Sequence, residues 1–170
     1  MDVAIAIRQK RAIRTFSATP INGDDARKIL NAGRRAQSSK NTQPWQFVAV
    51  RERATLQALT VAGPFAGHVA GAAMAVVIAT PDPAQRWSIP FDAGQAAAYM
   101  QLAAWELGIG SCLIAVYEPE KVRALLAIPH DLHPYAALSF GYPNDLADLT
   151  RAPRAGGRRG AGEVIHWERW

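Results

Sequence analysis

Only one cysteine, Cys112, occurs in the 170 residues. That scarcity excludes a disulfide within one chain and any cysteine-built zinc or iron–sulfur centre, and it makes the reducing cytoplasm the expected compartment. Long apolar runs are missing as well. The longest, residues 72–79 and 96–100, fall far short of the roughly 20 residues that cross a bilayer. The opening MDVAIAIRQKR carries Asp2 early and no stretch that reads as a secretion signal, so neither secretion nor a membrane partner is expected. His68, His130, His133 and His166 show no metal-ligand spacing, and neither a Gly-x-Ser-x-Gly elbow nor a P-loop occurs. Gly108-Ile109-Gly110 follows a helical pattern rather than a strand, the wrong context for a dinucleotide fingerprint. Hydrolase, nucleotidase and metal-dependent chemistry therefore lack carriers, and Cys112, inside an apolar strand, reads as a buried thiol.

What is present is a globular balance: 49% hydrophobic and 19% charged residues in a length that suits one domain. The net charge of +5 is mild, but its placement is uneven. Arg8, Lys10, Arg11 and Arg14 cluster at one end of the chain; Arg151, Arg154, Arg158 and Arg159 cluster at the other. Such clusters can neutralise nucleic-acid phosphates. No helix–turn–helix, zinc-finger or RNA-recognition signature accompanies them, so a nucleic-acid partner is not expected. A second reading unites them on one small phosphorylated ligand, with Arg14 facing Arg158 or Arg159, because guanidinium groups match phosphate oxygens in bidentate fashion.

Local patterns give the elements. Asp2 precedes a short helix that ends in the basic string, and Asn22 caps a second helix over residues 22–35, with Asp25 placed as in a capping box. Phe47 to Val50 read as a buried strand, residues 53–59 as a helix, and residues 74–79 as a strand buried on both faces. Asp92 and Gln95 form a capping-box spacing before a helix that runs to Leu107 and stops at Gly108. Apolar residues cover nearly every side of that helix, which suggests burial by its own domain on one side and by a partner chain on the other. A strand over residues 112–116, a helix over 120–126 and a last strand over 136–140 follow. The Arg- and Gly-rich stretch after Asn144 recovers apolar character only in Val164-Ile165-His166-Trp167 and Trp170, a tail without an obvious home on its own monomer.

The motifs resemble one family. Lys10-Arg11-Ala12-Ile13-Arg14-Thr15-Phe16 before Pro20, and Ser38-Ser39-Lys40-Asn41-Thr42-Gln43-Pro44-Trp45-Gln46-Phe47, are similar to segments of the FMN-dependent nitroreductases. So, in the same order, are Asp92-Ala93-Gly94-Gln95-Ala96, Glu106-Leu107-Gly108-Ile109-Gly110-Ser111-Cys112, Leu138-Ser139-Phe140-Gly141-Tyr142-Pro143, and Gly157-Arg158-Arg159. The resemblance implies a single α+β domain over residues 1–170, with a mostly antiparallel sheet flanked by helices, in an intertwined homodimer. Residues 151–170 would form an arm on the partner subunit.

It implies also an oxidoreductase that takes electrons from NADH or NADPH and passes them to nitroaromatics, quinones or similar planar electrophiles. The transfer would be ping-pong, as hydride through the flavin N5. Lys10, Arg11 and Arg14 would meet FMN at its phosphate, ribityl chain and pyrimidine edge, and Arg158 or Arg159 would complete the phosphate site. Ser38, Ser39 and Asn41 would approach from the other subunit, while Leu113, Ile114 and Ala115 would lie along the isoalloxazine. No side chain is assigned as a catalytic acid or base. Specialised flavoenzymes of the same fold, or a non-catalytic flavin binder, are the alternatives.

The chain departs from the family pattern at Ala12, where many members carry Ser, at Gln37 in place of Pro, and at Ala115-Val116 in place of Glu-Gly. Gly160-Ala161 stand for Pro-Leu, and long lid insertions are absent, which implies an open pocket.

Overall fold

The computed structural model describes residues 2–151 and 157–170; Arg154 and part of the expected C-terminal arm lie outside the described residues. Asp2 accepts the N–H groups of Ala4 and Ile5 and starts helix α1 (Val3–Gln9), as its position predicts. Asn22 likewise caps α2 (Gly23–Arg34) by accepting the Asp25 N–H. Asp25 does not close a true capping box; its carboxylate takes the Asn22 side-chain amide at 2.7 Å and Lys28 at 2.8 Å.

Strand β1 (Gln46–Val50) leads to α3 (Arg53–Ala58), two 3₁₀ turns and β2 (Met74–Thr80). Next come α4 (Ser88–Glu106), β3 (Gly110–Ala115), α5 (Pro119–Leu126) and β4 (His133–Gly141). The four strands order as β1-β2-β4-β3 with every pairing antiparallel. The last strand therefore inserts between β2 and β3, and β3 becomes a border. All seven residues of β2 are buried, the outcome expected of an unbroken apolar strand covered on both faces.

One face of the sheet packs on α2 and α4 through Ile29, Met100, Val76, Leu138 and Phe140. The other packs on α3, α5 and the 3₁₀ turns through Leu56, Leu59, Val69, Val77, Ile114 and Val122. Gly33 lets α2 and α4 approach closely, since a Cβ there would lie 2.7 Å from Met100 Cγ. The stop after α4 is a Schellman turn: Gly108, at φ +73°, donates to Trp105, and Ile109 donates to Ala104.

Two expectations need correction. Asp92 is not the cap of α4; the helix begins four residues earlier at Ser88, because Pro90 falls in the first turn where a missing N–H leaves no bond unmade. Asp92 is instead buried inside the helix. β1 is not a buried strand either: it pairs only with β2, and Gln46 and Ala49 are exposed while Phe47 and Val48 are half-covered. An apolar run reports burial on the faces, not whether a neighbour strand lies alongside. The exposed side of α4 carries Phe91 and Tyr99, and residues 157–170 are exposed throughout, Trp167 and Trp170 included. Among the described residues no helix is long and apolar enough to cross a membrane.

Candidate functional site

The segment that follows α1 runs along the border of the sheet. Ile13 donates its N–H to the Ser111 carbonyl at 3.0 Å, and Ala12 forms a parallel bridge with Ser111. Gly110 permits this approach, because a Cβ there would sit 2.6 Å from Ile13 Cβ. Ile13 is buried with Ala6 and Trp105, which fixes the segment between α1 and the C-terminal part of α4. Anchored this way, residues 10–14 present their cations to a cavity of about 590 Å³.

That cavity is lined by Arg8, Lys10, Arg11 and Arg14 from the start of the chain and by Arg151, Gly157 and Arg158 from its end. The two basic clusters therefore meet. Arg151 is neutralised by Asp145 at 2.6 Å and Asp148 at 3.3 Å. Among the described residues, no carboxylate pairs with Lys10, Arg11, Arg14 or Arg158, so the cavity keeps an uncompensated positive field suited to an anion. Arg159 is exposed and is not among the lining residues.

Electrostatics record the crowding. Burial holds the Lys10 ammonium below the usual lysine range; the Cys112 thiol opposes that shift and Arg158 adds to it. Burial raises the Cys112 thiol, with Arg14 and Lys10 pulling the other way, so the buried thiol stays protonated as its apolar strand suggests. Burial and the nearby Arg14 both lower His68, whose Nδ1 lies 2.9 Å from Ser139 Oγ. The His68–Ser139 pair, and the reach of the Arg14 charge to His68, were missed by sequence reasoning. No local signal could have found them, since the three residues come from three distant segments.

β3 supplies a second feature. The Ser111 carbonyl points away from β4 to meet Ile13, so by strand alternation the peptide groups of Leu113 and Ala115 face outward too. Both residues are exposed, whereas the Ile114 side chain is buried in the core on the α5 side. An open row of backbone donors and acceptors thus continues along β3 from the point where the cationic segment is tied to Ser111.

Ser38, Ser39 and Asn41 stand elsewhere. The Ser39 N–H is bound by Asp92, at the N-terminal part of α4, whereas Trp105 and the cationic cavity lie near its C-terminal part. Thirteen residues at 1.5 Å rise separate Asp92 from Trp105, about 20 Å. The structure does not bring these three residues to the cavity on the same chain. A separate cavity of about 630 Å³, between α2 and β1, is lined by Arg27, Arg34, Trp45 and Phe47 and contains none of the expected site residues.

The fold and this site define an α+β protein with a cavity lined by cations, held to the border of an antiparallel sheet through Ile13 and Ser111. Residues 7–142 match the model of the Nitroreductase family, and the chain belongs to that family. It is 33% identical over 171 residues to an inferred NADH dehydrogenase/NAD(P)H nitroreductase of Archaeoglobus fulgidus, covering 96% of each chain. A crystal structure of an inferred protein of the same kind from Bacteroides thetaiotaomicron superposes with a TM-score of 0.85 at 27% identity, over 100% of both chains. The FMN-dependent nitroreductase of Clostridium difficile R20291 has the same fold, with a TM-score of 0.85 at 24% identity over 99% of this chain and 100% of that one.

Proposed function

We propose that this protein is a homodimeric, FMN-dependent NAD(P)H oxidoreductase that reduces nitroaromatics, quinones or similar planar electrophiles. The observation that carries the reading is the convergence of Lys10, Arg11, Arg14 and Arg158, from opposite ends of the chain, on one cavity whose N-terminal wall is tied to β3 through Ile13 and Ser111. The donor set fits FMN: a phosphate monoester needs several cations, and a flat polar ring needs directional backbone groups beside them. Family membership and the names of the relatives support the same cofactor and electron donor.

The chemistry that FMN supplies when bound is two-electron transfer between a nicotinamide donor and an oxidised acceptor. The protein's residues do the rest. Lys10, Arg11 and Arg14 would meet the phosphate, ribityl chain and pyrimidine edge, Arg158 would complete the phosphate site, and their positive field would favour added negative charge on the ligand. The outward peptide groups of Leu113 and Ala115 would orient the ring. Ile13, locked to Ser111, keeps the cations in register with that border.

The separation of about 20 Å supports a dimer if Ser38, Ser39 and Asn41 belong to the flavin site. Ser38, Ser39 and Asn41 cannot reach the cations of their own chain, but a second copy can present them. Phe91 and Tyr99 on the open side of α4, and the exposed tail at Val164, Ile165, Trp167 and Trp170, offer the apolar surface that such a partner would cover. The test is direct. The purified protein should absorb in the flavin region or gain that absorption on FMN addition, and should oxidise NADH or NADPH with menadione or nitrofurazone as acceptor. Protein that stays colourless with excess FMN refutes the proposal.

A further inference from the structure

Asp92 is the one buried carboxylate among the described residues, at 2% exposure. It projects from α4 to the Ser39 N–H, which lies 3.2 and 3.1 Å from its two oxygens and 53 positions away in the chain. The loop it reaches is unusual. Lys40, Asn41 and Gln43 all adopt positive φ, at 52°, 55° and 47°, without a glycine among them. Left-handed backbone is unfavourable for residues with a Cβ, and it persists only where surrounding contacts impose it. Here the contacts can be named: Ser38 Oγ accepts the Gln43 N–H at 2.9 Å, Arg86 donates to Thr42 Oγ1 at 2.8 Å, and Gln95 donates to the Gln37 carbonyl at 3.3 Å. Asp92 is the only charged group on the list that is buried. The loop's tip, Lys40 and Asn41, nevertheless points into solvent.

A buried charge and a run of strained residues are both costly, and together they hold an exposed tip in one shape. We propose that Asp92 is a positioning residue for the flavin site: by binding the Ser39 N–H it fixes the Ser38–Asn41 loop in the form that meets the partner subunit's FMN. The inference rests on the proposed function. It adds to it a reason for the acid at this place in α4, where the local sequence suggests only a helix cap.

The test uses the full chain with Asp92→Ala and Asp92→Asn, beside Leu56→Ala, a buried residue of the opposite core face, as a control for general destabilisation. FMN dissociation constants, hydrogen exchange at the Ser39 and Asn41 amides, and melting temperatures are measured for each. Asp92→Ala should weaken FMN binding on the order of tenfold, about 1.4 kcal/mol, and speed exchange at both amides. Asp92→Asn keeps one acceptor oxygen and should restore most of the affinity. Leu56→Ala should lower the melting temperature with FMN affinity within about twofold of wild type. Binding by Asp92→Ala within about twofold of wild type overturns the proposal, as does an equal loss in Leu56→Ala. Should Asp92→Ala fail to fold, Asp92→Leu, which keeps the volume but offers no acceptor, decides: exchange at Ser39 and FMN binding as in wild type overturn the proposal, faster exchange with weaker FMN binding supports it. A wild-type protein without FMN affinity removes this inference and the proposed function together. Normal wild-type binding with an indifferent Asp92→Ala removes this inference alone.

Discussion

Replacing Gly110 by alanine tests how the cationic segment is held. The new Cβ would lie 2.6 Å from Ile13 Cβ, 2.8 Å from Cγ1 and 2.9 Å from Cγ2, whereas ordinary contact begins at 3.4 Å. Ile13 is β-branched and its Cβ is fixed to the backbone, so no rotamer change relieves the overlap. The segment must move outward by about 0.8 Å, against the 3.4 Å limit of ordinary contact. That displacement stretches the 3.0 Å bond from Ile13 to Ser111 beyond useful length. Overpacking of about 1–2 kcal/mol plus a lost hydrogen bond of about 1 kcal/mol gives a destabilisation of about 2–3 kcal/mol. For a chain of this length the melting temperature should fall by roughly 5–10 °C. Because Lys10, Arg11 and Arg14 ride on the same segment, FMN affinity should fall at least about tenfold.

Gly33→Ala is the matched comparison. Its Cβ would lie 2.7 Å from Met100 Cγ and 3.0 Å from Sδ and Cε. An overlap costing about 1–2 kcal/mol against this unbranched side chain is partly offset by about 1 kcal/mol of helix propensity in α2. Stability should therefore fall less than in Gly110→Ala, with FMN affinity near wild type because the overlap lies away from the cationic segment. Thermal melting and a fluorescence titration with FMN read both quantities. A Gly110→Ala protein that melts within about 1 °C of wild type and binds FMN equally would refute the reasoning.

Other expectations follow from the same geometry. Arg14→Ala should lower FMN content and slow flavin reduction by NADH or NADPH, since it removes a cation beside Lys10 and Cys112; stopped-flow absorbance measures this, and an unchanged rate excludes Arg14 from the site. Deleting residues 163–170 should yield weakly associated subunits that lose flavin, which sedimentation velocity would show; a stable yellow dimer contradicts the arm. The lowered Lys10 ammonium predicts two opposite pH trends. The folded chain releases this proton before the unfolded one, so stability of the free protein rises from the lowered value up to the ordinary lysine range. FMN binding needs the charged form, so affinity should fall across the same window. Titrations against pH should show that alkaline inflection in wild type and lose it in Lys10→Arg.

The elements legible in the sequence were those whose signals are local. Asp2, Asn22, Pro119 and Gly108 act within a turn or two of themselves, and each ends or begins a helix where its chemistry says it must. Asp92 misled because its spacing to Gln95 copies a capping box, while its actual partner is 53 positions away. β1 misled because strand order, which no local pattern encodes, decides whether a strand has one neighbour or two. The meeting of Lys10, Arg11 and Arg14 with Arg158 was anticipated from charge clustering and family resemblance. That His68 bonds Ser139 and feels the charge of Arg14 was not, since this joins a 3₁₀ turn, β4 and the segment after α1, which lie far apart in the sequence.

The sheet ends on its far side in β1, whose outer peptide groups meet no further strand among the described residues; Phe47 of this strand stacks on Trp45 just before it. Such a margin can template an extended chain that is offered to it. A segment laid along it would guard against misassembly. Storage losses should then track the fraction of time that margin stands uncovered, growing with protein concentration and little affected by mutations that merely harden the interior.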